Sequence, residues 1–193
     1  MSQHFNAKKI FELTILLTIV TIIIIASFQL AHFVETHEEA KAIIVQLGYL
    51  GVFIVSLISG LNVFFPIPPA TFVPIFTAAD LLIPFIIVAL VLGTLTADII
   101  GYIIGLWSKN FLESHYPRLD SFFTSLNVHH HKWLLPFIFL YSGLAPIPNE
   151  ALLIPLAVMG IKLRFFIIPL ILGTTLYHTL TVFGIQNLFA HFL

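Results

Sequence analysis

Of the 193 residues in this chain, 59% are hydrophobic and only 9% are charged, which is more apolar surface than a soluble domain of this size can cover. Eight basic against nine acidic residues leave a formal net charge of -1, scattered too thinly to form a footprint for nucleic acid. With no cysteine, disulfide frameworks, thiolate metal sites and cysteine nucleophiles are excluded. The composition is that of an integral membrane protein.

Lys8 and Lys9 precede an apolar run from Leu13 to Ala31. It is longer than a signal-peptide core, lacks a small-residue cleavage site, and reads as an uncleaved first transmembrane helix. The stretch from His32 to Lys41 carries Glu35, Glu38 and Glu39 and suits an interfacial helix, so residues 1–47 form an N-terminal unit ahead of a membrane domain over 48–193. From Gly48 the chain is apolar through Phe65, breaks at Pro66-Ile67-Pro68-Pro69, and resumes from Ala70 to Ala79 before Asp80. Each proline removes a backbone donor and disfavours helix in the residue before it. The second arm has about half of the roughly 20 residues a span needs. A re-entrant hairpin is therefore more economical than two crossings.

Leu81 to Trp107 reads as a full span, with Pro84 tolerated in its first turn. Lys109 to Lys132 is an exposed loop with some helix, bracketed by Trp107 and Trp133 as interfacial aromatics would bracket it. Leu134 to Met159 repeats the arm, break and arm around Pro146-Ile147-Pro148. Phe165 to about Phe183 forms the last span, and the apolar tail to Leu193 is left unassigned.

The breaks belong to an internal repeat. Pro66-Ile67-Pro68 recurs 80 residues later as Pro146-Ile147-Pro148, and Leu92-Gly93-Thr94 recurs as Leu172-Gly173-Thr174. The repeats run over about 48–107 and 128–187. One full crossing separates the two hairpins, so they enter from opposite faces and the repeat is inverted. Charge supports this orientation: Lys8, Lys9, Lys109, Arg118, Lys132, Lys162 and Arg164 fall on one side, leaving Lys41 opposite, which places the N-terminus in the cytoplasm of a protein of the cell membrane. The expected fold is all-α, with two re-entrant helical hairpins and about three full transmembrane helices.

The hairpin tips, at Pro66, Pro68, Pro146 and Pro148, either merely shape a packed loop or start short helices whose free N–H groups attract anions such as phosphate. Asn149 and Glu150 follow the second tip. Asn149 suits a helix N-cap with Glu150 in the first turn; alternatively, Glu150 titrates or recognises a cationic headgroup. Ala70 or Thr71 stands at the corresponding place in the first hairpin. Asp98 lies deep in a span, where an unpaired carboxylate costs about 2.5–3.5 kcal/mol, so it must face protein or water. Together with Thr94, Gly101 and Gly105 it forms a seam of small and polar residues suited to close helix packing, as do Gly93 and Gly173. At the 80-residue offset Asp98 maps onto His178 and Thr94 onto Thr174, so an Asp98–His178 contact, structural or proton-coupling, is one reading. His129, His130 and His131 are consecutive rather than on one helical face, and read as a solvated loop rather than a metal site. With no nucleophile and base arrangement, metal motif or phosphate loop, no enzymatic activity and no cofactor are expected.

Pro66-Ile67-Pro68, then Gly93 with Asp98, Gly101-Tyr102 and Gly105, then Pro146-Ile147-Pro148-Asn149-Glu150 resemble the DedA family, also called the SNARE-associated Golgi protein or VTT domain family, over roughly 48–184. The first hairpin lacks the acid common after Pro-x-Pro, and the second lacks the neighbouring arginines of many bacterial members; a YqaA-like branch fits better. The resemblance implies paired re-entrant hairpins and the movement of lipids between leaflets, phospholipid or polyprenyl phosphate. The partners expected are membrane lipids, with self-association into a homo-oligomer left open. A proton-coupled carrier of a small solute is the alternative.

Overall fold

The computed structural model describes residues 14, 18, 21, 22, 25–27, 29–61, 69–115, 131–145 and 147–192, with backbone only at 110–115, 131–132 and 188–192. The expected first span over 13–31 therefore lies partly outside the described residues, and the tips Pro66, Pro68 and Pro146 and the histidines at 129 and 130 lie wholly outside them.

All regular structure among the described residues is helical. A helical segment ends at Thr36. There follow α1 (Glu38–Gly60), a 3-10 turn (Pro69–Phe72), α2 (Val73–Ala78), α3 (Ile83–His115), α4 (His131–Leu144), α5 (Glu150–Val158), a second 3-10 turn (Leu163–Phe165) and α6 (Ile167–Phe192). Among the described residues, three helices are long and apolar enough to cross a membrane, over Glu38–Gly60, Ile83–Lys109 and Ile167–Asn187. The last two are the spans expected from sequence. Glu38–Gly60 is not, because helix runs on from the acidic stretch into the first apolar arm. That helix is not straight: at Gly48 the backbone takes φ 52, ψ -145, a region essentially reserved for glycine. Beyond the bend, residues 49–60 rise only about 18 Å, against a hydrocarbon core of about 30 Å.

α4 ends at Leu144 and α5 starts at Glu150, around the second Pro-x-Pro; α1 ends at Gly60 and a 3-10 turn starts at Pro69, and the first Pro-x-Pro lies outside the described residues. The two returning arms also stop in the same way. Asp80 N–H bonds to Thr77 O and Leu81 N–H to Phe76 O, with Asp80 at φ 61; Gly160 N–H bonds to Ala157 O and Ile161 N–H to Leu156 O, with Gly160 at φ 76. These are two Schellman caps, 80 residues apart.

Packing follows the small residues. An added Cβ on Gly93 would stand 2.6 Å from Phe53 O and 2.9 Å from Leu57 N, and one on Gly173 would stand 2.6 Å from Phe139 O. So α1 lies against α3 and α4 against α6 at backbone distance. Each returning arm instead reaches the other span. Leu153, Leu156 and Ala157 of α5 share a core with Val91, Leu95 and Tyr102 of α3, while Ala70, Val73 and Phe76 share one with Val182 of α6.

Contacts also pin the two ends of α3. At its start, the Lys41 ammonium pairs with the Asp80 carboxylate and Leu82 N–H donates to Tyr49 Oη at 3.1 Å. Near its other end, Tyr102 Oη donates to Ile161 O at 2.9 Å and accepts from Leu163 N–H at 3.2 Å. Lys109 Nζ lies 3.3 Å from where a Gly160 Cβ would stand.

Candidate functional site

Asp98 sits about 22 Å along α3 at 1.5 Å per residue, near the middle of the span-length segment Ile83–Lys109; His178 holds the middle of Ile167–Asn187. Both are 1% exposed, and Glu150 is 4% exposed. With Asn149 they line one cavity of about 110 Å³. Gly60 and Pro69 line it from beside the first break, and Ala145, Ile147 and Pro148 from the second. The four polar residues singled out in the sequence thus meet, far apart in the chain, between the two breaks.

Their bonding differs from the sequence expectation. Asn149 is not a side-chain cap: its backbone is helical (φ -62, ψ -28) and its side chain makes no bond to the helix start. A capping side chain needs an extended backbone to fold back on its own helix. Here Asn149 Nδ2 donates instead to Asp98 Oδ2 at 3.0 Å. The first-turn donors are not free for an anion either. Ala151 N–H bonds to Pro148 O, and Leu152 and Leu153 N–H to Asn149 O, at 2.8–3.1 Å.

His178 is joined to Thr94 rather than to Asp98. Ser56 Oγ donates to the Leu90 carbonyl at 2.6 Å, which can only accept. Ser56 has one proton, so its 3.0 Å contact with Thr94 Oγ1 is donated by Thr94. Thr94 has then spent its proton, and the 2.8 Å contact between Thr94 Oγ1 and His178 Nε2 is donated by the imidazole N–H. Neutral His178 is therefore the Nε2–H tautomer, with a lone pair on Nδ1. That Nδ1 and Thr174 Oγ1, both buried, have no hydrogen-bond partner among the described residues.

The glycines of the seam make this possible. An added Cβ on Gly101 would lie 2.9 Å from Glu150 Cγ, and one on Gly105 2.7 Å from Ala157 Cβ, so α5 can bring Glu150 against α3 only because these positions carry no side chain. The role of Ser56 was missed in the sequence; its signal was a serine hydroxyl, with Ser59 one turn on, in an otherwise apolar arm. No group of three His, Cys, Asp or Glu side chains able to hold a metal occurs among the described residues.

The chain matches no family model, no curated protein and no solved structure. Fold and site together define an all-helical membrane protein with a buried polar cavity between two chain breaks.

Proposed function

We propose that the protein moves a phosphate-bearing lipid, a phospholipid or a polyprenyl phosphate, between the leaflets of the cell membrane, as its resemblance to the DedA family implies. In this reading the arms around each break form a re-entrant hairpin. The hairpins enter from opposite faces as an inverted repeat, and the N-terminus is cytoplasmic. The observation that carries it is the polar cavity midway along two span-length helices, reached by both breaks. Headgroup transit is slow because polar groups lose hydration across about 30 Å of hydrocarbon. Arms such as the 14-residue α4 and nine-residue α5 reach only about 21 and 14 Å. Two half-depth hairpins meeting at a polar cavity shorten the apolar path from each side, and non-helical backbone at that depth is tolerated where it lines such a cavity.

The full chain in vesicles should equilibrate a tail-labelled phospholipid or polyprenyl phosphate at least ~10-fold faster than protein-free vesicles, a barrier change of about 1.4 kcal/mol. Failure to accelerate either lipid would overturn the proposal. The second reading, proton-coupled carriage of a small solute, is favoured by three titratable side chains on one cavity, Asp98, Glu150 and His178. It requires solute uptake driven by a pH gradient and abolished by Asp98→Asn.

A further inference from the structure

The cavity is lined by carboxyls, hydroxyls, an amide and an imidazole, with no lysine or arginine among its residues. Two carboxyl side chains, Asp98 and Glu150, share it. The helix start that might have attracted a phosphate holds Glu150 in its first turn and has spent the Ala151, Leu152 and Leu153 N–H groups on its own carbonyls. An anionic group would therefore meet two carboxyl groups and few donors. The unmet capacity points the other way. Among the described residues, the chain of protons from Ser56 through Thr94 leaves the His178 Nδ1 lone pair without a donor, and Thr174 Oγ1, one helical turn earlier on α6, is likewise unpaired. Buried polar atoms without partners are costly unless something supplies the bond.

We propose that this cavity binds an ammonium group: its N–H protons go to His178 Nδ1 and Thr174 Oγ1, and its charge is balanced by the Asp98 and Glu150 carboxyls. Thr94 and Ser56 act as positioning residues that keep the imidazole lone pair turned inward. The inference rests on the lipid-movement reading only for the source of the amine, a lipid headgroup or a free amine. With a lipid, it selects an amine-bearing phospholipid over a polyprenyl phosphate, which has no N–H to offer.

Binding and movement are tested separately. In the first arm, purified full-length protein labelled with 15N-histidine receives ethanolamine hydrochloride, tetramethylammonium chloride or sodium chloride at equal ionic strength; the His178 signal is identified by its loss in His178→Gln. Ethanolamine should shift the Nδ1 resonance saturably, and tetramethylammonium, which lacks N–H, should not. Equal responses to all three salts, or none, overturn the ammonium site. In the second arm, reconstituted protein is given tail-labelled lipids bearing ethanolamine, its mono- and dimethyl derivatives, or choline. The rate should fall with each methyl group, by at least ~10-fold overall, equivalent to about 1.4 kcal/mol. Thr94→Val should erase this preference and Thr94→Ser retain it. If ethanolamine shifts His178 while no lipid moves, the site takes a free amine and the lipid reading alone fails. If lipids move regardless of headgroup and His178 is silent, the ammonium site fails and the lipid reading stands.

Discussion

Asp98 would be hard to keep inside a membrane protein without the Asn149 amide. With only 1% exposure, Asp98 has little contact with bulk water, so the 3.0 Å bond from Asn149 Nδ2 supports both groups at once. Asp98→Ala should therefore cost about 1–3 kcal/mol of stability by leaving the amide without that acceptor. Asp98→Asn keeps a carbonyl oxygen at the same place and should unfold close to the parent. Chemical unfolding in detergent micelles separates the two, and equal losses would mean that charge rather than the hydrogen bond holds Asn149. Gly101 has a different duty. An added methyl there would lie 2.9 Å from Glu150 Cγ, so Gly101→Ala should displace the Glu150 side chain and reduce lipid movement more than it reduces stability, measured on the same preparation. What the sequence made legible at this scale was a set of polar residues, Asp98, Asn149, Glu150 and His178, that line one cavity. It did not reveal who bonds to whom. An 80-residue register pairs Asp98 with His178, but register says nothing of azimuth about each helix, and the rotation of α6 turns His178 toward Thr94.

Element boundaries were more legible, because their causes are local. Pro-x-Pro cannot continue a helix wherever it lies, and the described break between Leu144 and Glu150 falls around such a triplet. The ends of the returning arms repeat with the sequence too, although one cap is a glycine and the other an aspartate. Asp80 reaches φ 61 because Asp tolerates the left-handed region better than most side chains, and it is held there by Lys41. Gly160→Ala should cost about 1–2 kcal/mol, since an L side chain is strained at its φ of 76. Gly184→Ala should be neutral or slightly stabilising, because nothing lies within 4 Å of its added Cβ and alanine favours helix. Thermal unfolding of the two variants against the parent checks the contrast. Less legible was the continuity of α1. Composition suggested a border at residue 48, yet helix continues on both sides of it and only the Gly48 backbone bends. Helical hydrogen bonding is cooperative and does not stop where polarity changes.

At the scale of the molecule, two chain segments with prolines at their centres each begin and end near one end of α3, and opposite ends at that. Lys41, Tyr49, Asp80 and Leu82 gather at its start, whereas Lys109 and Gly160 meet near its other end. If the arms on either side of each break crossed the bilayer separately, the mouths of the segments would keep the same sides, so charge and end contacts alone do not decide between hairpins and spans. The tips do. Because the chain has no cysteine, single reporters can be placed without further change. Leu82→Cys and Lys162→Cys mark the two mouths, and Leu61→Cys and Ile147→Cys lie beside the breaks. A bulky, membrane-impermeant maleimide should label position 82 only from outside intact cells and position 162 only after the inner face is opened. On the proposed hairpin arrangement, positions 61 and 147 should react slowly from either side, because half-depth arms would hold them away from both surfaces. Labelling of 61 and 147 as fast as 82 and 162, each from the face opposite its own mouth, would mean that every arm is a separate span. The cavity would then lose the second entrance on which lipid movement depends.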